Sequence, residues 1–151
     1  MTRFEPRDPD FEAKVRRSFS RQTAMQTLGA ELGSVEPGAV EIKMPYRADL
    51  TQQHGFIHGG IVTSILDSAC GYAAFSLSSA GTAISTVEYK VNFVSNAKGE
   101  RLLARGEVVR PGGTVTVCKG DVISYDGGEE KLIATMLMTM MFLPNRPDLV
   151  D

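Results

Sequence analysis

"HGGIVTSILDSACGYAAFSLSSAG", residues 58–81, is the stretch whose reading decides the fold. At 100° per residue, Ile61, Val62, Ile65, Leu66, Ala69, Cys70, Tyr72, Ala73 and Leu77 fill about half of a helix circumference. Only Ser76 interrupts that arc. The spacing predicts a helix from 58 to about 80. An apolar stripe that wide belongs to a helix wrapped by a curved sheet, not one resting on a flat surface.

After Gly81 the apolar period falls from helical to two, as strands require. In "AISTVEYKVNF", Val87, Tyr89, Val91 and Phe93 alternate with Glu88, Lys90 and Asn92. Turns at 96–99, 111–113 and 126–128 then separate "RLLARGEVVR", "TVTVCKGDVISY" and "KLIATMLMTMMFL". In the last of these, Leu132, Ala134, Met136, Met138, Met140 and Phe142 share one face, while Leu137, Met141 and Leu143 lie on the other. Apolar residues on both faces predict a central strand or one covered by a partner subunit. Upstream, "AELGSVEPGAVEIKMPY" reads as a hairpin turning at Glu36-Pro37-Gly38. "DPDFEAKVRRSFSRQTAMQTLG" reads as one helix ending at Gly29, with a break expected near Ser18–Ser20 and a partial stripe of Phe11, Val15, Phe19 and Met25. The expected class is α+β: an antiparallel sheet of about six strands around one long helix, with an extra N-terminal helix. The divisions are 1–28 for the N-terminal helical segment, 29–144 for the main domain and 145–151 for a loop-like tail.

Composition narrows the function. A net charge of −2 over 151 residues leaves no basic excess for phosphates, which argues against a nucleic-acid binder. Cys70 and Cys118 make no disulfide framework and lack metal-ligand spacing, so both read as small buried hydrophobes. His54 and His58 form an HxxxH pair without an acidic or thiol companion, and no metal site is expected. The first residues are too charged for a secretory signal, and "IATMLMTMMFL" is too short to span a membrane. The expected location is cytoplasmic, with no membrane partner.

Asp67 lies off the apolar arc, among Gly60, Thr63, Ser64, Gly71, Ala74 and Ser78. Glycine costs a helix about 1 kcal/mol relative to alanine. A stripe of small residues therefore admits either a ligand or another backbone, and the wheel alone leaves both readings open. The helix start shifts the balance. His58-Gly59-Gly60 presents unpaired N–H groups at the positive end of the helix dipole, and Gln52 precedes it with a side-chain amide. Such donors stabilise negative charge developing on a carbonyl oxygen. His58 beside two glycines reads as an orienting group. Asp67 lies about 13 Å from His58 by helical rise, too far to share one reaction centre within a single chain.

The pattern QxxGxxHGG followed by an acid nine residues after the His, with "EPG", "VEYKVNF" and "GERLLARGEVVR", resembles the hotdog-fold acyl-CoA thioesterases, particularly the phenylacetic-acid-degradation (PaaI-like) branch. The likeness covers residues 29–143. It implies a homodimer with its long helices side by side, two composite sites, and assembly into a homotetramer. It implies hydrolysis of an aryl- or medium-chain acyl-CoA, with Asp67 as general base or nucleophile, Gly59 N–H as oxyanion donor and Gln52 as its partner. Gln52 stands where many relatives of this branch carry Asn; Gln is found in the related 4-hydroxybenzoyl-CoA thioesterases. Ser85 is the expected holder of the attacking water, with Thr86 as the fallback. His58, Gly60, Thr86, Lys98 and Arg110 are the expected substrate-binding residues, the last two for CoA phosphates. CoA is part of the substrate, and no separate cofactor is implied. A non-catalytic acyl-CoA-binding module on the same fold is the alternative. A hotdog hydratase fits less well, because those enzymes pair a His with an acid at another spacing.

Overall fold

A computed structural model describes residues 4–149. Two short helices, α1 (Phe11–Ser20) and α2 (Thr23–Leu28), precede strands β1 (Glu31–Glu36) and β2 (Ala39–Pro45). The long helix α3 (Gly59–Phe75) follows, and then the strands β3 (Thr82–Phe93), β4 (Arg101–Arg110), β5 (Val115–Asp126) and β6 (Glu129–Pro144). The six strands form one antiparallel sheet in the order β1-β2-β4-β5-β6-β3. It wraps α3, while α1 packs on α3 and β1. This is the hotdog fold. Among the described residues no helix is long and apolar enough to cross a membrane.

The apolar arc of α3 explains the wrapping. Val62, Ile65, Leu66, Ala69, Cys70 and Ala73 are all buried against the sheet. The closest approach is over β4 and β5, where Gly106 and Gly120 are cross-strand partners. A Cβ on Gly106 would overlap the Ala69–Cys70 backbone, and one on Gly120 would come within 2.6 Å of Cys70 Sγ. Both cysteines are free and buried. Burial pushes both thiols up, Cys118 to about 12, so they remain protonated.

Three local expectations differ from what the chain does. The long helix ends at Phe75, not near 80. Ser76 Oγ donates to Ala73 O while accepting Gly38 N–H, and Ser78 Oγ donates to Phe75 O, so serines satisfy the last carbonyls. Lys14, on α1, reinforces this end: its buried Nζ donates to Ser78 O at 2.8 Å and lies 3.3 Å from Asp8 Oδ2. The N-terminal helix breaks at Arg21–Gln22 rather than at Ser18–Ser20, because Gln22 is extended (φ −82°, ψ 91°). In β6 five of the six expected inward residues are buried, but Leu132 is exposed and Ile133 is buried in its place. A register shift opposite Val122/Ile123 causes that exchange. β3 is an edge strand, and its Val87, Tyr89 and Phe93 are 53%, 42% and 51% exposed. β6 takes the interior position, between β5 and β3.

Candidate active site

Asp67 sits on the side of α3 that faces β3 and β6. Its Oδ1 accepts a hydrogen bond from Thr86 Oγ1 at 2.9 Å. The Thr86 hydroxyl also lies 3.6 Å from Met140 Sδ, a longer and weaker contact, so its proton is directed to the carboxylate. Desolvation raises the Asp67 pKa above its ordinary value, and the Thr86 hydrogen bond opposes part of that rise. The carboxylate borders a cavity of about 400 Å³, whose walls include Gly71, Phe75, Ile84, Thr86 and Met140. A carboxylate with a raised pKa in a cleft is a proton acceptor poised nearer neutral pH.

The start of α3 is a separate place. His58 is the N-cap, and its Nδ1 accepts Gly60 N–H at 2.9 Å, which puts the ring proton on Nε2. His58 thus orients the helix tip. Thr63 and Ser64 fold their hydroxyls back onto Gly59 O and Gly60 O at 2.9 and 2.8 Å. Gly59 N–H has no partner among the described residues and remains available to an acceptor. Gln52 and Gly59 border a smaller depression of about 160 Å³ with Phe93 and Asn96, and Asp67 is not part of it. The Gln52 Oε1 accepts His54 N–H. The Phe93 ring covers Gly59 so closely that a Cβ there would meet Phe93 Cζ at 3.2 Å.

The other expected residues are scattered. Ser85 is exposed and paired with Met141 on the outer sheet face, whereas Thr86, paired with buried Met140, faces Asp67. The cause is a register shift between Thr86 and Glu88, which reverses the side-chain alternation carried over from Tyr89 and Val91. Lys98 and Arg110 are both exposed, at opposite ends of β4. The nine strand steps from Arg101 to Arg110 span about 30 Å, so one chain cannot bring both to a single phosphate group. Conversely, Ser18, Gln22, Ser68, Tyr72 and Asp148 line the Asp67 cavity although the sequence patterns do not single them out. Ser68 follows Asp67 directly, and Ser18 and Gln22 are four residues apart in the sequence, which is the faint signal the chain offers. Among the described residues no group of three or more His, Cys, Asp or Glu is placed to hold a metal ion.

Comparison with known proteins places this geometry in a family. The profile of the Thioesterase superfamily matches residues 54–131, which include Asp67, the helix tip and Thr86. A crystal structure of a thioesterase family protein from Silicibacter pomeroyi is 54% identical, with a TM-score of 0.88 over 89% of this chain and 99% of that one. A protein of Saccharolobus solfataricus, described as an inferred esterase, is 31% identical over 100 residues, 66% of this chain and 71% of its own. The E. coli PaaI protein from the phenylacetic acid degradation operon shares the fold at 19% identity, with a TM-score of 0.80 over 89% of this chain and 94% of that one. The chain belongs to the thioesterase superfamily.

Proposed function

We propose that the protein hydrolyses acyl-CoA thioesters to the free acid and CoA, at composite sites built between two protomers. The observation that carries this reading is Asp67: a half-buried carboxylate with a raised pKa, held by Thr86 and open to a cavity of about 400 Å³. Asp67 from one protomer accepts a proton from water, or attacks the carbonyl carbon itself. The carbonyl oxygen takes the charge and is stabilised by Gly59 N–H and the α3 dipole of the other protomer, with Gln52 beside it. Collapse of the adduct breaks the C–S bond and expels the CoA thiolate, which takes the proton that Asp67 removed from water. Where Asp67 itself attacks, the collapse leaves a mixed anhydride on Asp67, which water then hydrolyses to the free acid and the restored carboxylate, its proton going to the thiolate. Thr86 keeps one carboxylate oxygen oriented. Lys98 and Arg110 are free to meet CoA phosphates, one from each protomer.

The β3 edge supports the dimer. It is twelve residues long and exposes Val87, Tyr89 and Phe93. A long apolar edge left open invites strand pairing, and two-fold pairing of β3 with β3 sets two α3 helices side by side. Leu137 and Val115 expose 56% and 44% of their surface on the outer sheet face, which suits stacking of dimers into a tetramer.

A thiol-trapping assay over aryl and fatty acyl-CoAs tests this directly. Thiol release by the wild-type protein is expected, with an Asp67→Asn variant at least about a thousandfold slower but still binding the ester. Saturable binding without thiol release would instead make the protein a binding module. Near-normal turnover by Asp67→Asn would remove Asp67 from the chemistry.

A further inference from the structure

Phe93 is the last inward-facing residue of β3. Val91 pairs with Met136 and Phe93 with Ala134, and both partners are buried, so the Phe93 side chain lies on the α3 side of the sheet. The chain is pinned just beyond it, where Val94 N–H and Ser95 N–H donate to Ile133 O at 2.8 and 3.2 Å. Ile57 N–H donates to Ala97 O at 2.8 Å, which ties the lead-in to α3 to the same segment. Residues 94–97 thus hold the ring and the helix tip in fixed relation.

The contact explains the glycine at 59 better than backbone conformation does. Gly59 opens α3 and is not among the residues of positive φ, so a side chain would cost it no backbone strain. Its neighbour excludes one instead: a Cβ would lie 3.2 Å from Phe93 Cζ and 3.4 Å from Cε1, inside the roughly 3.5–4.0 Å at which carbon atoms rest. Phe93 is 51% exposed, yet its ring lies against this tip, where the Gly59 N–H has no partner among the described residues. Phe56, Val62 and Ile133 extend the apolar lining around it. An unpaired donor acts more strongly on developing charge where water is kept from it. We propose that Phe93 is a positioning residue for the hydrolysis: its ring flanks Gly59, keeps bulk water from the oxyanion N–H and makes glycine obligatory at position 59. This rests on, and deepens, the reading of Gly59 as the oxyanion donor.

Gly59→Ala retains the N–H but its methyl pushes the ring away, whereas Phe93→Ala removes the ring outright. Each is expected to lower kcat about tenfold with KM within about twofold, in assemblies that sediment as the wild type does. The double variant should be no slower than the slower single, because the same ring is lost only once. Normal kcat in either single variant, a loss confined to KM, or a double variant slowed by the product of the two single effects would overturn the proposal. If one single variant does not fold or assemble, the kcat–KM split in the other decides alone. If the wild type releases thiol from no ester, it is the hydrolase reading that fails. The shielding is then read from hydrogen exchange of the Gly59 amide by NMR, which needs no turnover. Exchange about tenfold faster in Phe93→Ala sustains it, and an unchanged rate overturns it.

Discussion

Two depressions along α3 divide between them what a hydrolase needs. One, beside Asp67, has a carboxylate of raised pKa, a hydroxyl that orients it and room for an acyl group. Gly59 is not among the described residues that line it. The other, at the helix tip, has the unpaired Gly59 N–H, the positive end of the dipole and the Gln52 amide. It has no base. About 12 Å of helix separates Gly59 from Asp67, and a rigid rod cannot close that gap. On the composite-site proposal each chain supplies two half-sites, and the open β3 edge is the means of joining them.

The two halves should respond differently to damage. After loss of the Asp67 carboxylate, the next largest effect is expected at the tip. Gln52→Ala lowers kcat about a hundredfold with little change in KM, because its amide serves the developing charge more than the bound ester. A Gln52→Ala enzyme with normal kcat would confine the oxyanion site to backbone. A pair of glycine variants sharpens the contrast between the packed and open sides of α3. Gly106→Ala forces a methyl into the Ala69–Cys70 backbone, and a loss of about 3 kcal/mol in denaturant unfolding is expected. Gly71→Ala places its methyl 3.6 Å from Met140 Cε and 3.7 Å from Ile84 Cδ1, ordinary contact. That variant should gain up to about 1 kcal/mol of helix stability while losing kcat/KM severalfold, since the methyl enters the acyl cavity. Equal stability effects at the two positions would show that α3 does not rest on the glycine pair.

The smallest expected effect is on stability against pH. The Asp67 pKa is raised in the folded state, so the folded protein holds that proton more tightly than the unfolded chain does. Stability from this group is fully present below the ordinary value of 3.8 and is lost as pH rises through the higher folded value. Asp67→Asn should therefore raise stability at neutral pH, read as a higher Tm, by well under about 1 kcal/mol, given partial exposure. The gain should vanish on acidification below that range. A variant less stable than wild type at neutral pH would contradict the shift.

Much of this architecture is legible in the amino-acid sequence. The width of the apolar arc on α3 demands a wrapping sheet, and tight turns between strands demand antiparallel order. Asp67 stands out because it breaks a helix preference, Gly59 because it sits at a helix start, and Gln52 because its amide stands six residues before the His58 cap. What escapes is set by single-residue events between strands. The bulge after Thr86 is a matter of how β3 meets β6, and nothing in "AISTVEYKVNF" reveals it, so the alternation points to Ser85 rather than Thr86 beside the carboxylate. The polar wall of the cavity escapes for another reason. Ser18, Gln22, Tyr72 and Asp148 are brought together only by packing of the two chain ends across α3, a contact with no local signature.

The most direct test of composite sites is subunit complementation. Asp67→Asn and Gln52→Ala proteins, each nearly inactive alone, are co-expressed or refolded together and the hybrid assayed for thiol release. A mixed dimer has one site with both lesions and one with neither, so random mixing should restore roughly a quarter of wild-type turnover. Activity no greater than the average of the two parents would mean that Asp67 and Gln52 never meet across an interface.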